Sequence, residues 1–367
     1  MECDVDRKEF LAAVKMCRPV ANGRVKPILG CVRMTFSVDA CVLQATNGYK
    51  AIQLSVPVEG TVEGVYCVNC DTLANILSSP SGEKIKLILG EKLTIKTTSA
   101  THKLLLTDPK EFPALPGAKE TLARTTGAVL AKSIQRVVYA CSSGDGRYAF
   151  EGVMFDVNAE SWTLVATDGR RLSVCAVGSK GESEKEWNPI IPSDDCRFLA
   201  GLLNEDETEV AMGVTASGSS LVFSIGPIVF WSRMIEGRFP AYRDFVPKGM
   251  DREASSPVSP LLNAVNEARL YTDKEHRGVE FKFSEDDGLL IAAELGTIGS
   301  AEISVPVRYD GKPLTISMDA RLVADFLSPL GPGDRVTISF KDAEKPALFQ
   351  ADGGKYYSVV MPLCETD

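Results

Sequence analysis

The sequence predicts an α+β protein made of three tandem copies of one unit, each with two helices on a mainly antiparallel sheet. Three observations predict it. First, a nine-residue helix signal recurs. Asn69-Cys-Asp-Thr-Leu-Ala-Asn-Ile-Leu77 matches Asp195-Cys-Arg-Phe-Leu-Ala-Gly-Leu-Leu203 and Asp319-Ala-Arg-Leu-Val-Ala-Asp-Phe-Leu327. The copies place apolar residues at i, i+1, i+4 and i+5, with Thr72 at i in the first, as one buried helical face requires. The copies begin 126 and 124 residues apart, a spacing far above any solenoid repeat, so a whole domain has been triplicated. Second, other signals recur in register: Ala45-Thr-Asn-Gly48 with Ala166-Thr-Asp-Gly169, and Ser55-Val-Pro-Val58 with Ser304-Val-Pro-Val307. Third, strands and helices mix without strict βαβ alternation, which argues against a parallel sheet.

Taken in order, each third begins with a helix: Arg7 to Cys17, Ala128 to Ala140 and Pro260 to Leu270. Alternating or β-branched strands follow, among them Lys84–Leu89, Lys92–Thr97, Leu221–Ile225, Val336–Phe340 and Tyr357–Met361. The repeated helix comes next, then further strands. The proline-rich segments Phe112-Pro-Ala-Leu-Pro116 and Phe239-Pro-Ala-Tyr-Arg-Asp-Phe-Val-Pro247 close the first two thirds. Domains of 1–120, 121–249 and 250–367 result, each long enough to bury its own core.

The composition is that of an ordinary globular chain, with 44% hydrophobic and 24% charged residues. No apolar run is long enough for a membrane span and the N-terminus carries no secretory h-region, so a cytoplasmic protein is expected. The ten cysteines are scattered among apolar neighbours, as small buried hydrophobes are. One pair, Cys67-Val-Asn-Cys70, has the spacing of a redox site. A structural role is the expectation, because Cys196 occupies the Cys70 position in the second copy without a partner three residues earlier. With two histidines, His102 and His276, neither a metal site nor a His-dependent triad is well supplied. Paired carboxylates at Asp194-Asp195, or Asp168, are the alternative that would make the chain an enzyme. The pair falls at a helix start, where aspartates cap exposed amides. No catalytic residue and no cofactor is expected.

The net charge of −9 argues against nucleic-acid binding unless basic residues are segregated on one surface. A helical wheel suggests that they are. In the second third Val129, Leu130, Ile134, Val137 and Val138 form the buried stripe, with Lys132 and Arg136 opposite. Lys8 and Lys15 share the polar face of the first helix, and Arg197 and Arg321 occupy the same position in the repeated helix. Such a surface would neutralise phosphates without reading bases. Arg269 lies too near its apolar stripe to join it.

Five motifs in order resemble the β sliding clamps of bacterial replicative DNA polymerase over the whole length. They are Pro27-Ile-Leu-Gly30, Val165-Ala-Thr-Asp-Gly-Arg-Arg-Leu172, Glu236-Gly-Arg-Phe-Pro-Ala-Tyr-Arg243, Arg277-Gly-Val279 and Val359-Val-Met-Pro-Leu363. The resemblance implies three clamp domains per chain and a head-to-tail homodimer that closes as a ring around duplex DNA, helices lining the hole. It implies a non-catalytic processivity factor that tethers the polymerase, opened by a clamp loader. ATP would belong to that loader, since no phosphate-binding loop motif occurs here. It places a partner-peptide pocket at Phe150, Thr167, Gly169, Arg170, Arg171, Leu172, Pro240, Asp244, Phe245, Val359, Met361, Pro362 and Leu363. It adds Arg24, Arg147 and Tyr148 to the DNA contacts, and Leu104, Leu270 and Tyr271 to the dimer contact. The sequence departs from the family at Asp244, at Arg170 and in the tail Cys-Glu-Thr-Asp after Leu363. The added negative charge disfavours acidic partner motifs. An adaptor of three β-rich domains that never encircles DNA is the rival reading.

Overall fold

The computed structural model describes the chain apart from residues 1, 61, 80–81, 145–147, 180, 184, 204–206, 274–276 and 364–367, and apart from the Tyr148 side chain. Six α-helices are described: α1 Arg7–Cys17, α2 Cys70–Ser78, α3 Gly127–Gln135, α4 Ser193–Leu202, α5 Val258–Ala268 and α6 Ala320–Leu327. Every described strand pairing is antiparallel, as alternating strands joined by short turns require. The strands form four sheets, and the chain divides into two compact units, residues 1–128 with 202–234 and residues 129–201 with 235–367.

The first unit holds a four-stranded sheet in the order Glu2–Asp6, Lys84–Leu89, Lys92–Lys96, Thr101–Leu105. It also holds an eight-stranded sheet in which strands from the first and second thirds join where Ile228–Arg233 pairs with Lys50–Pro57. Helix α1 buries Phe10, Ala13, Val14 and Cys17, the i, i+3, i+4, i+7 stripe of an amphipathic helix, against α2 and the sheet. The second unit repeats the plan. A nine-stranded sheet joins second and third thirds where Arg171–Ala176 pairs with Tyr356–Val360. A four-stranded sheet runs Gly299–Val305, Gly288–Leu295, Gly278–Ser284, Leu314–Asp319, and α5 packs on α6.

The repeated nonapeptide is helical in all three places, with Cys70 and Cys196 both buried. Its first residue caps two of the helices. Asn69 Oδ1 accepts from Thr72 N at 2.9 Å, and Asp319 Oδ1 accepts from Arg321 N at 3.0 Å. In the second copy the helix starts earlier, at Ser193, so Asp194 and Asp195 lie inside the first turn. Their charge there favours the positive end of the helix dipole, as the expected place at a helix start implies.

Two of the expected first helices end earlier than predicted; α3 is shorter, whereas α5 keeps the expected length and starts two residues sooner. Helix α3 ends at Gln135, and a 3₁₀ turn follows at Val138–Ala140; helix α5 ends at Ala268 before a 3₁₀ turn at Arg269–Tyr271. At the first of these breaks Val137 leaves helical geometry (φ −125°), where two successive β-branched residues crowd the helix backbone. The buried stripe of α3 is also rotated from the predicted one: Leu130, Ser133, Ile134 and Val137 are buried, whereas Val129 is 37% exposed and Val138 half-buried.

Candidate functional site

A largely apolar pocket grows from a hairpin corner in the second unit. Gly169 takes φ 87°, a left-handed conformation that suits glycine. Side chains tie the corner down. Thr167 Oγ1 donates to Arg171 O at 2.6 Å and accepts from Gly169 N at 3.1 Å, while Asp168 Oδ1 accepts from Arg170 N (2.9 Å) and Arg171 N (3.1 Å). The strand after the corner pairs Leu172 with Val359, and Met361 N donates to Arg170 O at 2.9 Å, carrying the last strand alongside the corner.

Arg171 is buried and neutralised within the protein. Its Nε lies 3.1 Å from Asp168 Oδ2 and its Nη1 2.7 Å from Asp325 Oδ2; its Nη2 donates to Tyr139 O, and the guanidinium stacks 4.9 Å from the Tyr139 ring. It therefore fixes the pocket wall and offers little free charge. The far wall is the linker between second and third thirds. Tyr242 OH and Arg243 Nη2 donate to Asp156 Oδ2 at 2.8 and 2.6 Å, and this carboxylate is 5% exposed. Burial, then the hydrogen bond to Asp156, pushes the Tyr242 phenol well above the usual tyrosine range, so it stays a donor. Phe150 meets Phe239 edge to face at 6.2 Å.

A cavity of about 300 Å³ results. Ten of the thirteen predicted pocket residues line it: Phe150, Thr167, Gly169, Arg170, Arg171, Leu172, Pro240, Phe245, Val359 and Met361. Three do not. Asp244 borders a neighbouring depression with Asp156 and Asn188, because the 3₁₀ turn Tyr242–Phe245 sends it to the opposite side from Phe245. Past Met361 the chain leaves the pocket, and Leu363 N donates to Ser317 O at 2.8 Å, beside Gly278; Pro362 is buried on the way. Tyr242 and Pro346 complete the wall. Tyr242 lay within a motif already singled out, whereas Pro346 sits in a turn without any sequence signal. Under the pocket lies a core of Met154, Val165, Val174, Ile190 and Leu348. Phe245 (60% exposed) and Met361 (45%) stand at its mouth, so apolar surface waits to be covered.

The basic residues divide. Lys132 on α3, Lys8 and Lys15 on α1, and Arg24 in the following loop are exposed. Arg197 and Arg321 are half-exposed but locally paired, Arg197 to Asp194 of its own helix at 3.3 Å and Arg321 to the capping Asp319 at 2.7 Å. Arg136 overturns the wheel. It is 4% exposed, pairs with Asp352 at 2.6 Å and stacks 4.9 Å from the Tyr356 ring. Because α3 ends one residue earlier, the turn sets its direction, and the Asp352 carboxylate and the buried Tyr356 ring receive it; it is not a surface cation. Arg147 lies outside the described residues, as does the Tyr148 side chain.

At the expected dimer contact Leu104 is half-buried on the edge strand Thr101–Leu105, and its neighbour Leu105 is 75% exposed. Leu270 is 69% exposed, and Tyr271 lies beside the edge strand Gly299–Val305. Leu270 is therefore not part of a core at the helix end. Cys67 and Cys70 are both buried, and burial pushes each thiol up to about 12. A redox pair needs the reverse, a stabilised thiolate.

Comparison with known proteins agrees with this architecture. The family description "DNA polymerase III beta subunit, central domain" matches residues 125–241, and "DNA polymerase III beta subunit, C-terminal domain" matches residues 243–363. Proteins named beta sliding clamp from Vibrio cholerae and Pseudomonas aeruginosa are 25% and 26% identical over 99% of this chain and 100% of their own. The one from Escherichia coli K12 is 27% identical over 90% of each chain. The crystal structure of the DNA polymerase III subunit beta of P. aeruginosa superposes with a TM-score of 0.91 at 25% identity, covering 99% of this chain and 100% of that one. The DNA polymerase sliding clamp of Bacillus subtilis, at 19% identity, shares the fold with a TM-score of 0.92 over 100% of both chains. The fold is thus the three-domain clamp fold. The chain belongs to the DNA polymerase III beta-subunit family.

Proposed function

We propose that the chain is a DNA sliding clamp, a non-catalytic processivity factor of the cytoplasm that closes as a head-to-tail homodimer around duplex DNA. The observation that carries the reading is the apolar pocket at the corner Thr167–Arg171, with Phe245 and Met361 at its mouth, in a chain of this family. A pocket of that size and lining takes the aliphatic or aromatic anchors of a short peptide. A polymerase held by such a peptide stays at high effective concentration at the primer end. The clamp loader and other partners would use the same pocket in turn.

Two open sheet edges support the dimer contact, Thr101–Leu105 with Leu105 exposed and Gly299–Val305 beside Tyr271 and exposed Leu270. Unpaired edges invite strand addition, and a heterologous contact that closes after two copies leaves neither edge bare. Contact with DNA falls to Arg24, Lys132, Arg197 and Arg321, with Lys8 and Lys15 beside them in the same reading. The domain limits 1–120, 121–249 and 250–367 are proposed with it. Primer extension by the replicative polymerase on a long singly primed template tests the function. Product length should rise sharply with the protein and fall back with Met361→Glu, which puts a charge in the pocket. Equal lengths with and without the protein refute the reading.

A further inference from the structure

The first unit contains the backbone of the docking pocket a second time. Its corner, residues 46–50, repeats the corner at 167–171 bond for bond. Thr46 Oγ1 donates to Lys50 O at 2.9 Å and accepts from Gly48 N at 3.1 Å, and Asn47 Oδ1 accepts from Tyr49 N and Lys50 N, both at 2.9 Å. Gly48 has φ 88°, beside 87° at Gly169. Arg233 N donates to Tyr49 O at 2.9 Å, as Met361 N does to Arg170 O. Trp231 pairs with Ala51 where Val359 pairs with Leu172. The linker Phe112-Pro-Ala-Leu115 enters as Phe239-Pro-Ala-Tyr242 does.

The side chains close this second cradle. A large residue, Trp231, replaces Val359, and a small one, Ala51, replaces Leu172 across the same strand pair. The indole is 8% exposed, and its Nε1 donates to Pro116 O at 2.8 Å, latching the linker over the groove. Leu115 and Val229 pack on the cluster of Ala51, Val222 and Trp231. The floor is polar as well. By register, Met154, Val165 and Val174 correspond to Arg33, Gln44 and Gln53. These three are joined at 2.7 Å from Arg33 Nη1 to Gln44 Oε1 and from Gln44 Nε2 to Gln53 Oε1. An apolar anchor would have to displace the indole and then desolvate this ladder, which costs free energy.

We propose that this cradle is a latent docking site shut by the chain's own Trp231 and linker, so that each chain presents one pocket to an apolar peptide. The inference rests on the pocket at Thr167–Arg171 being the docking site. Calorimetry with a short serine–glycine peptide carrying two leucines and a phenylalanine tests both separately. The intact protein should bind about one peptide per chain, and Met361→Glu should abolish it; binding untouched by Met361→Glu sinks the docking reading itself. Trp231→Ala with Leu115→Ala should raise the stoichiometry to about two, the new site at least tenfold weaker and surviving Met361→Glu. A folded double variant that stays at one site, or an intact protein that binds two, overturns the plug. Hydrogen exchange on the intact protein decides the matter should the double variant not fold. Peptide should protect amides at 167–171 and leave 46–50 and 115–119 unchanged; protection at 46–50 overturns the proposal.

Discussion

Phe245→Ala separates docking from folding. Fully burying a phenylalanine side chain is worth roughly 1.5–3 kcal/mol. The ring at residue 245 is 60% exposed, so folding has already used less than half of that and a covering peptide would gain the rest, about 1–2 kcal/mol. The substitution should therefore weaken peptide binding about 5- to 30-fold. Stability should fall by less than about 1 kcal/mol. Leu172→Ala makes the opposite case. At 5% exposure its side chain is spent on folding, and removal should cost about 2–4 kcal/mol of stability. Fluorescence anisotropy with a labelled peptide, beside urea melts of both variants, measures the contrast. A Phe245→Ala protein that binds within twofold of the parent, on an unchanged melt, would refute the argument that exposed apolar surface at the pocket mouth drives docking.

Further outcomes follow from the same geometry. Arg171→Ala strands Asp168 and Asp325, and since Asp325 is 42% exposed the loss should be about 2 kcal/mol in a urea melt, below that of a fully buried pair. A melt unchanged by it would show the wall is not held by this ion pair. Lys132→Ala should lower the slope of log affinity for duplex DNA against log salt by about one, whereas Arg136→Ala should lower stability and leave that slope alone; equal slopes for both would restore Arg136 to the surface. For Cys67 and Cys70 the folded thiols titrate near 12, above an unfolded thiol near 8.5. The sign is that of raised groups: stability is whole below the unfolded value and drains as pH climbs from there toward 12, about 2 kcal/mol per thiol by pH 10. Urea melts at pH 8 and 10 check this, and a thiol reagent that labels either residue rapidly in the native protein at pH 8 would contradict it.

The triplicated plan was legible because whole-domain repeats leave signals that do not depend on fine geometry: a helix face, a turn glycine, a proline-rich linker. The nonapeptide found α2, α4 and α6, and the Thr-Asx-Gly corner located what became the pocket's edge. Direction of individual side chains was harder. A wheel assumes that the helix continues, and α3 stops at Gln135, so Arg136 swung inward to Asp352 and Tyr356. Asp244 and Leu363 were carried in by the family resemblance, but a 3₁₀ turn and a bond to Ser317 took them elsewhere. Pro346 was beyond reach, since only the folded sheet brings its turn to the pocket. The closed cradle in the first unit was half visible: the two corners were matched in sequence, but the pairing of Trp231 with Ala51 needed the strand register.

The central claim is topological, and release on cutting tests it most directly. The labelled protein, loaded by the clamp loader on nicked circular DNA, should stay bound through gel filtration in high salt. It should leave within seconds once a single-site nuclease linearises the circle, sliding off the free ends. Retention on linear DNA equal to that on the circle would contradict a closed ring, and so would loss from both alike.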